Sequence, residues 1–380
     1  NAKSKFIPVS DDAIENCHLK AGKDMLCLYI NNNEETALFN GKALRLGGSN
    51  AVYEDNNSYF GDLSAIIIEN MPFWADFSSA PSQETALMSE WESKMEAIIN
   101  ETIHENITSL VGVPSWMLVL LNRVLEKTGK KNILEVWPNL EVYFHGGVNF
   151  NPYREQYRKL IPKKDFKYYE TYNASEGFFA LQDVNGSLDL LLMLDYGIFY
   201  EFIPMSEYEG EASSAIPLSQ VKKEKNYAVV ISTNGGLWRY LIGDTVKFTS
   251  LSPHKIRITG RTKHHINVFG EELIIENAEE ALRLACKKTK STITDYTVGP
   301  IFMNGKKQGS HEWVIEFAKA PQNLEYFTEL LDNALKSINS DYEAKRYNNM
   351  TLVMPKIHSV KKGLFYSWLK KKGKLGGQHK

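Results

Sequence analysis

Tyr172-Asn-Ala-Ser-Glu176, Trp238-Arg-Tyr-Leu-Ile-Gly-Asp244 and Gly260-Arg-Thr-Lys263, in that order along the chain, decide its reading. The first follows an aromatic β-type run, Phe166–Tyr169, and precedes another. It is expected on a turn at a strand end, where α/β proteins place ligands. There Tyr172 offers a flat face to a purine, and Glu176 offers a hard oxygen ligand. Mg²⁺ takes one or two carboxylates together with phosphate oxygens, so a single Glu suffices. Ahead of the second segment, Gly235-Gly236 predicts a hairpin between two strands. Gly243 then frees the backbone so that Asp244 projects from a tight bend. An ionised Asp only accepts hydrogen bonds, which suits a ribose diol. In the third segment, Arg261 follows a short strand and can meet a ribose or phosphate. Lys263 ends that segment, at a place suited to a hinge. Taken singly, each segment also reads as an ordinary turn carrying solvated charge.

Outward from these segments, His145-Gly146-Gly147 lies between the predicted strand Leu140–Phe144 and a helix beginning near Pro152. Two glycines let a flat ligand lie against bare backbone, as the second wall of a purine slot. The spacing is not that of a dinucleotide-binding loop. Lys3 and Lys5 at the amino end can hold phosphates as point charges. Lys380 ends a glycine-rich arm, Gly373-Lys-Leu-Gly376-Gly377-Gln-His-Lys380. His264-His265 does not read as a metal site, because adjacent residues on a strand face opposite sides and no third ligand is near.

The 380 residues suffice for two domains, and 43% hydrophobic with 24% charged content is ordinary for a globular chain. A net charge of −2 leaves no footprint for nucleic acid or an anionic membrane. No apolar run approaches the roughly 18 residues of a membrane span. Cys17, Cys27 and Cys286 form neither a disulfide framework nor a zinc pattern, which predicts free thiols in a reducing cytoplasm.

Apolar spacing predicts helices over Asp11–Ile30, Ser82–Ile103 and Pro114–Lys127. Strands are expected at Leu140–Phe144, Phe166–Tyr169, Leu188–Leu194, Tyr200–Pro204, Tyr227–Thr233, Thr245–Thr249 and Lys255–Thr259. Helices first and strands after indicate an α/β layer with an added β-rich part. Beyond residue 263 the rhythm changes to helix Ile275–Lys288, strands Thr294–Phe302 and Trp313–Phe317, helix Leu324–Ile338 and strand Thr351–Met354. That order predicts a small α+β domain at 263–380 behind a large domain at 1–262.

Tyr172–Glu176, Arg239–Asp244, Gly260–Lys263 and the final Gln-His-Lys380 together resemble the successive motifs of adenylate-forming enzymes: acyl-CoA synthetases, adenylation domains and luciferases. The Gly-Leu-Trp-Arg-Tyr-x-x-Gly-Asp form, Tyr-x-x-Ser-Glu and the Gln-His-Lys ending are similar to the auxin-responsive Gretchen Hagen family, the acyl acid–amido synthetases. The resemblance spans essentially the whole chain. It implies the adenylate-forming fold and an ATP- and Mg²⁺-dependent ligase that activates a carboxylic acid as acyl-AMP and joins it to an amino acid. In that scheme Tyr172 stacks on adenine with Gly146 and Gly147 on its other side. Glu176 binds Mg²⁺, Ser175 lies near the α-phosphate, and Asp244 holds the ribose with Arg261 nearby. Lys5 belongs to the pyrophosphate grip, Lys263 is the hinge, and Lys380 reaches the α-phosphate and acyl carboxylate. The opening Asn1-Ala-Lys-Ser-Lys5 looks like the second half of the family's phosphate loop, as though the chain began inside it.

Asn267-Val-Phe-Gly270-Glu-Glu is closer to acyl-CoA synthetases, which keeps a thioester-forming enzyme as an alternative. A catalytically silent nucleotide-binding or interaction protein is the alternative from another class. For the acid, Trp116, Met117 and Leu120 share a face of an unusually apolar helix. Phe178 and Phe179 directly follow the Glu176 turn. These five are expected to line an apolar or aromatic acyl pocket, with ordinary core packing as the competing explanation.

Overall fold

Strand Lys167–Ala174 is bonded in parallel to Val142–Gly146 on one edge and antiparallel to Gly177–Leu181 on the other. The computed structural model describes residues 6–48, 53–55, 58–147, 150, 153–208, 214–262, 273–301, 309–346 and 352–372. These form two compact units, one from 6–242 with 247–257, the other from 243–246 with 258–372.

The first unit is organised by a twelve-stranded sheet. On its parallel side lie Ser79–Ala80, Lys42–Leu46, Ile107–Gly112, Val142–Gly146 and Lys167–Ala174. Beyond Lys167–Ala174 come Gly177–Leu181, Leu190–Leu192, His254–Arg261, Tyr240–Leu251, Asn226–Thr233, Ile198–Pro204 and Ile216–Pro217. The expected β-rich part is therefore the antiparallel side of the same sheet. Strands Lys42–Leu46 and Ile107–Gly112 were not anticipated. In the latter, Thr108 and Ser109 are buried, so no continuous apolar run announces a central parallel strand. Thr108 Oγ1 is satisfied by donating to the Leu38 carbonyl at 2.6 Å.

Three helices fall where periodicity places them, with corrections. The first runs from Asp11 to Asn32 through a π-helical stretch, Ile14–Leu19. The predicted helix Ser82–Ile103 is two, Gln83–Ala86 and Trp91–Thr102. Ser82 caps the first, and the Glu90 carboxylate accepts from Glu92 and Ser93 N–H to start the second. Helix Pro114–Thr128 ends on Gly129, whose φ of 67° closes it in the left-handed region. Helix Arg154–Leu160 starts later than Pro152, which lies outside the described residues.

Beneath Gly146 the sheet rests on a ring cluster. Tyr143 stacks on Tyr157 at 5.1 Å, and His145 stacks on Phe150 at 4.1 Å. Burial pushes the His145 imidazole down to about 3, so it is neutral. Glu170 is its register partner on the next strand. Burial lifts the Glu170 carboxyl to about 7, against the pull of Arg154 and Arg257.

The second unit has helices Ile275–Thr289 and Leu324–Ile338, and a three-stranded sheet ordered Thr292–Ile301, Ser310–Lys319, Lys356–Val360. Leu282, Trp313, Ile315, Phe327, Leu331 and Leu335 form its core. The strand expected at Thr351–Met354 is instead Lys356–Val360, a largely exposed edge that alternation of apolar residues does not mark. Helix Ser340–Arg346 was also missed; Arg346 forks onto buried Asp332 at 2.7 and 2.8 Å. Among the described residues no helix is long and apolar enough to cross a membrane. All three cysteines are free thiols.

Glu170 gives a pH test. Its folded pKa, about 7, lies above its ordinary 4.5, so the folded state holds the proton more tightly. The parent should be most stable below about pH 4.5 with respect to this group, and lose that contribution as pH rises to about 7. Glu170→Gln, which mimics the protonated acid, should therefore melt higher than the parent at pH 8 and close to it at pH 4.5. A melting difference independent of pH would refute this.

Candidate active site

In the first unit, Tyr172 lies within strand Lys167–Ala174, three residues before the turn rather than on it. Its ring is 5% exposed and sits 4.8 Å from that of Phe179. The turn itself is Ser175-Glu176, exposed and half-buried respectively, between two antiparallel strands. With Gly177, Asn234 and Gly235, these two residues line a small pocket walled by Pro8, Ala13, Cys17 and His18.

Sequence reasoning missed that helical wall. Cys17 Sγ accepts a hydrogen bond from Phe178 N at 3.2 Å, which pins the backbone immediately after the Glu176 turn. Burial pushes this thiol up, away from reactive thiolate. His18, buried, is pushed down to about 4 and is neutral; its Nδ1 has no partner among the described residues. A Cys-His pair inside an amphipathic helix carries no signal of its own. Only the π-helical register and the fold bring it to the turn. Asp12, at the start of the same helix, accepts from the Asn234 amide and ties down the Asn234-Gly235 hairpin.

Gly146 ends its strand at a place where no side chain fits. A Cβ there would stand 2.5 Å from the Thr171 carbonyl oxygen. Gly147 follows with φ at 79°. Bare backbone is thus a steric requirement beside the strand that carries Tyr172.

In the second unit, Asp244 is not on a tight bend; it lies inside strand Tyr240–Leu251. The glycine is still required, since Gly243 has φ of 88° within that strand. Thr262 N donates to the Gly243 carbonyl at 2.8 Å. Asp244 Oδ1 meets Arg261 Nε at 2.9 Å, with the carboxylate 17% and the guanidinium 40% exposed. The pair therefore presents one fixed, partly solvated carboxylate.

Trp116, Met117 and Leu120 are all buried, and Trp116 packs edge-on against Trp91 at 4.9 Å. Leu118 and Leu121 are buried as well, so more than one face of that helix is covered. Phe179 packs on Tyr172, and Phe178 faces Tyr196 at 6.4 Å. The two groups of expected acyl-pocket residues thus have different ring neighbours. Lys3, Lys5, Lys263 and Lys380 lie outside the described residues.

Comparison with known proteins agrees along the chain. Residues 1–166 match the GH3 family N-terminal domain, 191–261 the GH3 family central domain, and 276–380 the GH3 family C-terminal domain. Indole-3-acetic acid-amido synthetase GH3.3 of Arabidopsis thaliana is 24% identical over 61% of this chain and 41% of its own length. Indole-3-acetic acid-amido synthetase GH3.8 of Oryza sativa subsp. indica is 30% identical over 43% of this chain and 29% of its own. The chain thus spans well under half the length of these relatives. Its fold is similar to that of AtGH3.15 acyl acid amido synthetase, with TM-score 0.80 at 14% identity, covering 100% of this chain and 78% of the other. It is also similar to 2-hydroxyisobutyryl-CoA ligase, with TM-score 0.57 at 12% identity, covering 92% and 66%. The fold is that of adenylate-forming enzymes, and with all three of the family's domains matched in order, the chain belongs to the GH3 family.

Proposed function

We propose that this protein uses ATP to activate a carboxylic acid as acyl-AMP and then transfers the acyl group to an amino acid, forming an amide. The observation that carries the reading is Glu176. A half-buried carboxylate on a backbone-pinned turn lines a pocket, in a chain whose family relatives are indole-3-acetic acid-amido synthetases. Among the described residues no three His, Cys, Asp or Glu side chains gather into a metal cage. A lone Glu fits Mg²⁺, which takes most of its ligands from phosphate and water. Mg²⁺ held by Glu176 would offset phosphate charge. Free Cys17, Cys27 and Cys286 fit a reducing, cytoplasmic setting.

In this reading a substrate carboxylate oxygen attacks the α-phosphorus and pyrophosphate leaves. Two anions meet in that step, so a cation must stand beside them, and Lys380 is assigned that role. Lys3 and Lys5 are assigned to the leaving phosphates and Lys263 to the hinge. Tyr172 and the Gly146-Gly147 backbone take the adenine, Ser175 lies near the α-phosphate, and Asp244 takes the ribose. Arg261 holds the Asp244 carboxylate in one orientation, and an ionised carboxylate only accepts hydrogen bonds, as a ribose hydroxyl requires. In the second step the neutral amine nitrogen attacks the acyl carbon, AMP leaves, and the amine releases one proton. That step mainly requires placement of the amine.

Full-length protein incubated with a panel of acids should exchange pyrophosphate into ATP. It should form amides with amino acids and no thioester with coenzyme A. Thioester without amide would replace this reading with the thioester-forming one, and no exchange with any acid would leave a silent nucleotide-binding protein.

Three substitutions test the roles. Asp244→Ala should weaken ATP binding by about 1.5–3 kcal/mol, the worth of a hydrogen bond to a charged acceptor, without unfolding the protein. Parental ATP affinity in this variant would remove Asp244 from the ribose. Lys380→Ala should suppress acyl-AMP formation while leaving amide formation from supplied acyl-AMP nearly intact; equal loss in both would point to a structural role. Trp116→Ala or Phe178→Ala should change which acids are activated if these residues line the acyl pocket. If instead either variant loses about 3–5 kcal/mol of stability with acid preference unchanged, that residue is core.

A further inference from the structure

Glu170 is a half-buried acid that the chemistry above does not use. Its backbone is well held: its N–H donates to Gln182 Oε1 at 3.0 Å, and its carbonyl accepts from Gln182 N at 3.0 Å. Its carboxyl, by contrast, makes no hydrogen bond or ion pair among the described residues. A polar group withdrawn from water without such a partner is costly, and its retention points to a ligand or a water.

The surroundings leave this carboxyl neutral. Arg154, on helix Arg154–Leu160, lies over the Phe150 and Tyr168 rings at 5.1 and 5.9 Å. Arg257, on strand His254–Arg261, is paired with Asp189. His145, the register partner on strand Val142–Gly146, is itself neutral, and its Nδ1 has no partner among the described residues. Burial outweighs the pull of the two arginines, so the proton is held up to about pH 7. A protonated carboxyl carries an O–H donor beside a C=O acceptor.

Its place on the strand matters as much. Alternation puts Tyr168, Glu170 and Tyr172 on one face of strand Lys167–Ala174, and the register shift comes only after Tyr172. Residue 170 is therefore roughly 7 Å along the strand from Tyr172. On the next strand Gly146 pairs with Thr171, so the Gly146-Gly147 backbone begins one step beyond Glu170.

We propose that Glu170 reads the adenine base: its carboxyl accepts from the N6 amino group and donates to the adjoining ring nitrogen. The inference rests on the assignment of adenine to Tyr172 and the Gly146-Gly147 backbone. Stacking holds any flat base, whereas this pair of bonds recognises the edge of adenine. Asn and Gln amides read adenine through the same donor–acceptor pair, and such a two-point contact is worth about tenfold or more in discrimination.

The test measures equilibrium binding of ATP and of purine riboside triphosphate, which lacks the N6 amino group. It uses the full-length parent, Glu170→Leu, Glu170→Gln and Tyr172→Leu at about pH 6, where the Glu170 carboxyl keeps its proton. The parent should prefer ATP by about tenfold. Glu170→Leu keeps the bulk and removes both hydrogen-bonding atoms, so it should bind the two nucleotides within about twofold of each other. Glu170→Gln should restore the preference for ATP, which a role in packing alone would not. An ATP preference that survives in Glu170→Leu, or is absent from Glu170→Gln, overturns the proposal. If Glu170→Leu does not fold, Glu170→Ala takes its place, and a parent that treats the two nucleotides alike overturns the proposal without any variant. Tyr172→Leu should weaken both nucleotides alike. If it does so while the Glu170 variants keep the parental preference, this inference alone falls. If the parent binds no ATP, or Tyr172→Leu binds both nucleotides as the parent does, the reading of the adenine site falls and takes this inference with it.

Discussion

Strand Lys167–Ala174 carries parallel bonding on one edge and antiparallel bonding on the other, and the first unit is arranged around that change of sense. A parallel neighbour requires a long crossover, here through helix Arg154–Leu160, whereas an antiparallel neighbour needs only a tight turn. The Ser175-Glu176 turn is therefore forced to sit at the carboxyl end of a parallel strand. That is the end at which α/β sheets present ligands. One strand thus delivers a buried ring, Tyr172, and a half-buried carboxylate, Glu176, four residues apart on a rigid frame.

The frame is reinforced from both sides. Cys17 on the first helix bonds to Phe178 N, directly after the turn. On the parallel side, the Gly146 backbone approaches Thr171 so closely that a methyl group is excluded. Beneath it His145, Phe150, Tyr143 and Tyr157 pack ring against ring. His145 and its register partner, the high-pKa Glu170, lie on adjoining strands, and neutral His18 lines the pocket at the Ser175-Glu176 turn. Such perturbed groups concentrate where function sets the arrangement against stability.

Much of this was legible in the residues. Helix Leu324–Ile338 and the hairpin at Gly235-Gly236 follow from apolar spacing and turn chemistry, and the structure has both. Strand Ile107–Gly112 was not legible, because buried Thr108 and Ser109 interrupt its apolar run, and Thr108 satisfies its hydroxyl on a carbonyl that no local pattern encodes. Edge strand Lys356–Val360 hid for the opposite reason: it is mostly exposed and has little apolar signal. Within the candidate site, motif residues Tyr172, Glu176, Gly146 and Asp244 stood out by type and order. Cys17 did not, since it acts on a backbone group distant in sequence.

Two ion pairs in the second unit show how burial separates a structural role from an available one. Asp332 and Arg346 are 1% and 5% exposed, bonded as a fork, with Tyr342 OH on the same carboxylate at 2.8 Å. Removing Asp332 would strand the buried Arg346 guanidinium, at about 3–5 kcal/mol, so the pair is bound to the fold. Asp244 and Arg261 are 17% and 40% exposed, with Arg261 Nε 2.9 Å from Asp244 Oδ1. A pair so open to water contributes about 0–1 kcal/mol, too little to explain a strand that accepts a left-handed Gly243 next to the acid. The glycine and the guanidinium instead hold the carboxylate in a set direction. Stability accounts for the first pair and contributes little to the second, for which we propose binding, the role that the residue types and their order along the chain point to.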